Sequence, residues 1–176
     1  MIDNETIDCN STNRSLWESL AMNREMHRNE RKMTDEQILE TIKSADYGIL
    51  SVLCAEGFPY GVPVNYGYAD GKFYIHHTVA QSLLSDCLQK NDKVCFTIVS
   101  RHDMDKEIFS THYDSVIVFG SARIITESTE KIDAMMKMMY DLAPDKAEVA
   151  QEHCKTDTRY IMIELTPSRM TGKHRG

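Results

Sequence analysis

The sequence lacks the features that mark membrane, secreted and nucleic-acid-binding proteins. It has no apolar run of membrane-spanning length, and its first residues, MIDNETIDCN, are polar and acidic where a signal peptide needs a basic start. Acidic residues outnumber basic ones by 27 to 20, so a broad contact surface for nucleic-acid phosphates has little electrostatic support. We therefore expect a soluble, cytoplasmic protein that binds neither membrane nor nucleic acid.

Signatures of common catalytic and metal sites are also missing. There is no G-x-G-x-x-G, P-loop or H-E-x-x-H motif. The five cysteines are widely spaced without a C-x-x-C pair, which predicts buried side chains or surface thiols rather than a disulfide framework or a zinc site. The histidines are scattered, so no metal is expected. A chain of 176 residues with 41% hydrophobic content predicts one folded domain, residues 26–176, after a loose N-terminal extension, residues 1–25.

Most of the chain alternates apolar and polar residues in short runs separated by turns, as β-strands do. The predicted strands are residues 47–54, FPYGVPVNYGY, KFYIHH, KVCFTIVS, SVIVFGSARII and RYIMIEL. Tight hairpins without regularly alternating helices predict antiparallel pairing rather than parallel βαβ units. The expected fold is mainly β with flanking helices, built as a six-stranded antiparallel barrel. A polar connection through Phe109 is expected between the fourth and fifth strands.

Turn residues and prolines specify the hairpins further. Asp70 and Gly71 both tolerate positive φ, which a two-residue type I′ hairpin turn requires. Pro59 and Pro63 cannot donate to a strand ladder. Their strand is therefore expected at a sheet edge, at a bulge, or against a ligand.

Three segments are predicted to be helical. Thr34 and Gln37 form a capping-box pattern that starts a helix ending at about Ala45, and Thr78 and Gln81 repeat the pattern. The second helix would aim unpaired backbone N–H groups at the preceding strand end, a place for a phosphate. A third helix, residues 130–142, should bury one apolar face and leave Lys137 and Asp141 solvated. That face consists of Ile132, Met135, Met136, Met139 and Tyr140.

Several pieces of the sequence, taken in their order, resemble one known family. They are MHRNERKMTDEQIL, YGILSV, GFPYGVPVNYGYADGKFYIH, NDKVCFTIV, YDSVIVFGSARI and the terminal TGKHRG. Over residues 26–176 the chain is similar to the flavin-binding split-barrel proteins related to pyridoxamine 5′-phosphate oxidase, and within them to the nitroimidazole-resistance (Nim-type) branch. The resemblance implies a six-stranded split barrel, a homodimer, and one flavin mononucleotide (FMN) in each of two clefts at the dimer interface.

The resemblance also implies a set of cofactor-binding residues. The strand-end histidine of the family corresponds to His77, or to His76 if the alignment slips by one, and we favour His77. Neighbouring strand residues point to opposite faces, so only one of the two can face the flavin. The backbone of the ring-contacting strand corresponds to Pro63, Val64, Asn65 and Tyr66. The resemblance also places Thr78 and Ser82 near the phosphate and implies contacts from Lys173 and Arg175 in the tail. Tyr113, Ser115 and the Arg175 tail are the contacts implied for the partner subunit.

One position departs from the family pattern. Relatives carry a glycine and then a lysine or arginine after the histidine, whereas this chain has Ser82, Leu83 and Leu84 there. The cofactor phosphate must then rely on a helix N-terminus, on hydroxyl groups, on a histidine, and on Lys173 or Arg175. The departure also permits FAD in place of FMN.

The function implied by the resemblance is that of a flavin-dependent reductase of small molecules. Nitroaromatic (5-nitroimidazole-type) compounds are candidate substrates, and NADH or NADPH is the expected transient electron donor. His77 is the expected catalytic residue, which orients the substrate or donates a proton to it. A flavin- or haem-binding sensor or carrier without rapid turnover is the alternative, and a barrel binding some other ligand is a third. Taken by themselves, the histidines could be ordinary strand residues and the tail a disordered basic end. An apolar run at residues 116–119 is expected to be exposed at the cleft, for a partner subunit to cover.

Overall fold

The computed structural model describes residues 25–55, 57–77, 81–146, 148–149, 151–152 and 160–176. Residues 31–176 form one compact unit, which contains the whole sheet. The predicted extension, residues 1–25, lies almost entirely outside the described residues, and the domain division stays a prediction. None of the helices in the described part of the chain has both the length and the hydrophobicity that a membrane-spanning segment needs.

The described residues form seven strands in one sheet. They are β1 (Gly48–Leu53), β2 (Pro59–Val64), β3 (Gly67–Ala69), β4 (Lys72–His77), β5 (Lys93–Asp105), β6 (Ser110–Ile125) and β7 (Ile161–Arg175). The flanking α-helices are α1 (Asp35–Ser44), α2 (Leu83–Lys90) and α3 (Ser128–Leu142), with short 3-10 helices at Asn29–Arg31 and Pro144–Lys146. The strand order is β2-β1-β5-β6-β7-β4-β3, with antiparallel pairing throughout.

The two edge strands, β2 and β3, are joined by only two residues, Asn65 and Tyr66. Because the outermost strands of one sheet are linked so tightly, the sheet must curl until its edges meet, which makes a barrel. The β3–β4 ladder stops at Gly67 and Tyr74, while β4 continues to His77. Among the described residues no ladder joins β2 to β4, so the barrel is split there. The predicted mainly β, antiparallel split barrel is confirmed.

The seventh strand arises because the predicted strand FPYGVPVNYGY is broken in two. Tyr66 turns into the barrel, where its ring packs edge-on against Phe73 and Phe96. Its hydroxyl donates to the Ile42 carbonyl oxygen at 2.6 Å. β2 ends at Val64 and β3 begins at Gly67, so Tyr66 lies in the two-residue link between the strands. The sequence alternation could not show this tertiary anchor.

Local turn signals are confirmed. Asp70 and Gly71 have φ of 53° and 74°, as a type I′ turn requires. Thr34 caps α1 with both bonds of the capping box in place, and Ala45 is the C-cap. The proline-containing strand β2 lies at a sheet edge, where missing N–H donors cost no ladder bond.

The hairpin of β5 and β6 is longer than the sequence indicated, and the predicted polar connection through Phe109 is largely strand. β5 continues to Asp105 and β6 starts at Ser110. The Asp105 carboxylate accepts the backbone N–H of Glu107 and of Ile108, which closes a tight turn. The added strand residues are mostly polar, so they lack the apolar alternation that identifies strands from sequence.

The main core fills the barrel and includes Leu50, Phe73, Ile75, Phe96, Ile98, Val116, Val118 and Leu165. Val116 and Val118, predicted to be exposed at a cleft, are fully buried because they point into the barrel, and only Phe119 of that run is exposed. A second cluster lies between the sheet and α3. Its members are Tyr74, Ile125, Ala134, Met135, Met138, Tyr160 and Met162.

The buried face of α3 differs from the predicted one. Ala134, Met135 and Met138 are buried, whereas Met136 is only half-buried and Tyr140 is exposed. Several apolar residues fit more than one face at helical spacing, so the sequence left the helix rotation undetermined. Packing of α3 against the sheet decides which face of the helix is buried.

Two α3 residues predicted to be solvated bind the β3–β4 hairpin. The Lys137 ammonium lies 3.2 Å from the Asp70 carboxylate and 3.0 Å from that of Asp133. The Asp141 carboxylate accepts the backbone N–H of Tyr68 at 2.8 Å. These polar contacts fix α3 against the hairpin. Asp141 is exposed, as expected, whereas Lys137 is half-buried.

One buried carboxylate joins three elements of the fold. Glu164 on β7 is 7% exposed and lies 3.1 Å from the Lys72 ammonium and 3.0 Å from the Arg123 guanidinium. Arg123 also pairs with Glu130 on α3. Burial by itself would raise the pKa of Glu164, but hydrogen bonds from Arg123 and Lys72 outweigh it and hold the pKa below its ordinary value.

We expect Glu164→Gln to lower the free energy of unfolding by about 1–3 kcal/mol at pH 7, because two cations lose a buried partner. A lowered carboxyl pKa stabilises the fold above the ordinary value of about 4.3, and that contribution is lost as the pH falls through the lowered pKa. Urea unfolding at pH 7 and at low pH should show the difference from wild type shrinking under acid. Glu130→Gln, on the exposed arm of the network, serves as control with a much smaller effect. A pH-independent difference would contradict this role of the charge.

Candidate functional site

The end of β4 lies beside the N-terminus of α2. The His77 Nε2 is 3.1 Å from the Ser82 Oγ, which lies 3.0 Å from the Ser85 Oγ and accepts the Ser85 backbone N–H. Ser82 is the N-cap of α2, so the helix start predicted at Thr78 is wrong, because a second good capping residue begins the helix at Leu83. Thr78 itself lies outside the described residues.

The two strand-end histidines face opposite sides of the sheet, as the strand period requires. His77 is in line with Phe73 and Ile75, which point into the barrel core. The His76 ring lies 5.6 Å from the Tyr160 ring, in the layer beneath α3. Of the two histidines, His77 is therefore the one at the mouth of the barrel.

The end of β2 and the two residues that follow it border the same split in the barrel. Val64 is buried and Tyr66 belongs to the core, where burial raises the pKa of its hydroxyl and keeps it a protonated donor. Pro63 is exposed, and the Asn65 amide donates to the Asp46 carbonyl oxygen at 2.8 Å. The Val64 and Tyr66 side chains thus support the fold, and this segment can offer a ligand the backbone of Pro63 and Asn65.

Four other predicted residues meet at the paired ends of β6 and β7. Tyr113 lies opposite Arg175, and Ser115 lies opposite Lys173. Side chains two residues apart on one strand lie on the same face of a sheet, as do side chains directly opposite each other on paired strands. The four residues therefore share one face, and we call them the basic patch. The alternative that the tail is a disordered basic end is wrong, because the tail completes β7.

The basic patch has two cations available for an anion. Among the described residues neither Lys173 nor Arg175 has a carboxylate within ion-pair distance. A third cation lies next to them, because the Arg31 Nη1 donates to the Tyr113 hydroxyl at 3.4 Å. Sequence reasoning missed Arg31 as a contributor. In the sequence, Arg31 was marked only by its position in MHRNERKMTDEQIL, one of the pieces that resemble the family.

The opposite face of the same strand ends is already occupied. The His174 Nδ1 lies 2.5 Å from the Asp114 Oδ1, and both residues line a cavity of about 250 Å³ together with Gln37, Glu40 and Thr41 of α1. Gly172, next along β7, leaves no room for a side chain because Met33 packs against it. The basic patch therefore faces away from the barrel interior.

The two groups of predicted residues lie far apart within one chain. His77 pairs with Ile161 at the start of β7, whereas Lys173 lies near the end of that strand. At about 3.3 Å per residue, roughly 40 Å of strand separates them. Close to His77, the positions where the resemblance implies a cation hold Leu83, which is 52% exposed, and buried Leu84. One protomer therefore offers a histidine site and a basic patch, but not both at one place.

The fold and these groups define an antiparallel split-barrel protein with a polar barrel mouth. The chain belongs to the pyridoxamine 5′-phosphate oxidase family, because the model of that family matches residues 34–174. No curated protein matches the sequence. Among the described residues no group of three histidine, cysteine, aspartate or glutamate side chains is arranged to hold a metal ion.

Solved structures share this fold at low sequence identity. A candidate 5-nitroimidazole antibiotic resistance protein from Bacteroides thetaiotaomicron is 24% identical, with a TM-score of 0.66 over 81% of this chain and 85% of that one. The flavocytochrome Anf3 from Azotobacter vinelandii is 15% identical, with a TM-score of 0.70 over 87% and 73%. An FAD- and haem-binding protein from Mycobacterium smegmatis is 12% identical, with a TM-score of 0.68 over 82% and 73%.

We expect Ser82→Ala to lower the free energy of unfolding by about 1 kcal/mol, because α2 loses its N-cap. The His77 side-chain resonances in NMR spectra should shift as well, since the ring loses its hydroxyl partner. Ser128→Ala is the matched control: Ser128 follows the Glu127 cap of α3, and its loss should cost less than about 0.5 kcal/mol. Equal effects of the two substitutions would contradict the capping role of Ser82.

Proposed function

We propose that the protein is a flavin-dependent oxidoreductase that reduces small molecules, nitroaromatic compounds of the 5-nitroimidazole type among them. The observation that carries the proposal is the basic patch, in which β6–β7 pairing gathers Tyr113, Ser115, Lys173 and Arg175 on one face. Membership of the family supports it. So do the names of three structural neighbours: a nitroimidazole resistance protein, a flavocytochrome and an FAD- and haem-binding protein.

The basic patch fits the phosphate of a flavin. Charge-assisted hydrogen bonds from Lys173 and Arg175 can hold an anion, and the hydroxyl groups of Tyr113 and Ser115 add neutral donors. The chain as a whole has a net charge of −7, so this group of cations stands against the overall charge. A phosphate monoester carries nearly two negative charges at neutral pH, which the two cations match. FMN is thus the first choice, with FAD as alternative because its diphosphate fits the same cations.

We further propose that each site is completed by a second copy of the chain. A single FMN is too short to follow the strand path between His77 and Lys173, so the two must meet across a dimer interface. The outer sheet face next to the basic patch exposes Leu53, Val99 and Phe119, apolar side chains that a partner can cover. Val99 pairs directly with Ser115, which makes the apolar surface continuous with the patch.

A bound flavin would supply the redox chemistry, taking a hydride from NADH or NADPH and passing electrons to the substrate. The chain's own residues would hold the flavin, orient the substrate and donate a proton to it. Ser82 fixes the His77 ring through Nε2, and a histidine so held can orient a substrate or donate a proton to its reduced oxygen. Pro63 and Asn65 place their backbone groups at the edge of the split, where the polar rim of the isoalloxazine would lie.

A second candidate function is favoured by the first turn of α2. Exposed Leu83 and buried Leu84 leave that turn without the cation that relatives have there, which weakens phosphate binding close to His77. A flavin- or haem-binding sensor or carrier needs only occupancy, without rapid turnover. Turnover with a nicotinamide donor separates the two functions.

The first test is the visible spectrum of the purified protein, with chromatography of any chromophore released on denaturation. We expect flavin bands, released FMN, and consumption of NADH or NADPH when a 5-nitroimidazole is added. His77→Ala should lower turnover roughly 100-fold while flavin content stays unchanged. Flavin or haem without turnover would select the second function, and failure to take up any flavin would overturn the proposal.

The second test is of the basic patch. Lys173→Ala and Arg175→Ala should each raise the flavin Kd on the order of ten-fold or more, because each removes a charge-assisted hydrogen bond. Titration of the apoprotein with FMN, followed by flavin fluorescence, measures this. Lys93→Ala is the control, since Lys93 is an exposed lysine that pairs only with neighbouring Asp92. Unchanged affinity in both patch variants would remove the patch from the flavin site.

A further inference from the structure

Two cysteines that are distant in sequence come together between β1 and α2. The Cys54 Sγ lies 2.8 Å from the Cys87 Sγ. A disulfide bond is about 2.05 Å long, so the sulfurs need to approach by less than about 1 Å. We propose that these two thiols form a peroxide-sensitive modification site, which hydrogen peroxide converts to an intrachain Cys54–Cys87 disulfide. This inference stands independently of the proposed flavin chemistry.

Both cysteines are held by hydrogen-bonded backbone rather than by a loose loop. Cys54 follows β1 directly, its N–H donates to the Phe58 carbonyl oxygen at 2.9 Å, and its carbonyl oxygen accepts the Gly57 N–H. Cys87 lies within α2, and its carbonyl oxygen accepts the Asn91 N–H at 2.9 Å. The short sulfur–sulfur distance is therefore built into two fixed elements.

Burial assigns a role to each thiol. Cys54 is half-buried and can meet a small oxidant, whereas Cys87 is 2% exposed. The Cys54 thiolate attacks one peroxide oxygen, the O–O bond breaks, and Cys54 sulfenic acid and one water result after proton uptake. The Cys87 sulfur then attacks the sulfenic sulfur, the S–O bond breaks, and the thiol proton leaves with a second water. Two thiols are oxidised, and one hydrogen peroxide is reduced to two waters.

Cys95 provides an internal comparison. It is half-buried on β5, and within the described residues no other cysteine sulfur lies beside it. Burial raises the pKa of the Cys95 thiol and outweighs the smaller opposing effect of the Thr97 hydrogen bond. A less ionised thiol without a resolving partner should react slowly and form no intrachain bond.

The disulfide would also affect the neighbouring histidine site. α2 begins at the Ser82 cap, which holds the His77 ring, and the cross-link would tie this helix to the end of β1. The closed loop would contain β2, β3 and β4, so the oxidised form should resist unfolding more than the reduced form.

The test treats the reduced full-length protein with hydrogen peroxide, blocks remaining thiols by alkylation, and maps peptides by mass spectrometry. We expect a Cys54–Cys87 peptide lacking two hydrogen atoms, formed on the order of ten-fold faster than Cys95 is lost. The thermal unfolding midpoint should rise on oxidation and return after dithiothreitol. Disulfides from Cys54 to Cys9 or Cys154, or faster loss of Cys95, would overturn the proposal.

Two variants test the order of events. In Cys87→Ala, Cys54 should accumulate as a sulfenic acid that dimedone traps, because its resolving thiol is absent. In Cys54→Ala, Cys87 should stay unmodified at the same peroxide dose, and Cys95→Ala should form the disulfide as wild type does. Rapid oxidation of Cys87 without Cys54 would contradict the assigned roles. If either variant fails to fold, the peptide maps of the wild-type protein and of Cys95→Ala decide whether the Cys54–Cys87 disulfide forms.

Discussion

The anchoring of Tyr66 inside the barrel is the constraint on which the rest of the structure depends. Its hydroxyl is bound to the Ile42 carbonyl at the end of α1, and its ring is enclosed by Phe73 and Phe96. β2 ends just before the two-residue link that contains Tyr66 and β3 begins just after it, and among the described residues no ladder joins β2 to β4, so the barrel is split beside β4. The split leaves the end of β4 without a strand partner on that side. His77 lies at this opening, next to the start of α2.

Features of the fold that depend on neighbours in sequence could be predicted. The Asp70 and Gly71 turn, the Thr34 capping box and the edge position of the proline-containing strand all follow from local backbone chemistry, and the structure has them. Features decided by tertiary contacts could not. The break at Tyr66, the buried face of α3 and the true start of α2 each depend on what another element offers, which alternation of apolar residues does not encode.

The candidate site likewise has some features that the sequence predicted and others that depend on tertiary contacts. The resemblance supplied the residues, and strand pairing explains why Tyr113 and Ser115 belong with Arg175 and Lys173. Sequence could not show that this patch faces outward, or that it lies at the far end of β7 from His77, because both depend on long-range register. The contact between Cys54 and Cys87 was equally hidden, since it joins a strand end to a helix through packing alone.

We propose that one flavin site combines His77 of one chain with the basic patch of another. The most direct test is a heterodimer of two inactive proteins, differently tagged: His77→Ala in one chain, and Lys173→Ala with Arg175→Ala in the other. We expect the heterodimer to regain one intact site and with it about half of the wild-type activity. A heterodimer that forms but stays as inactive as both parents would contradict the account.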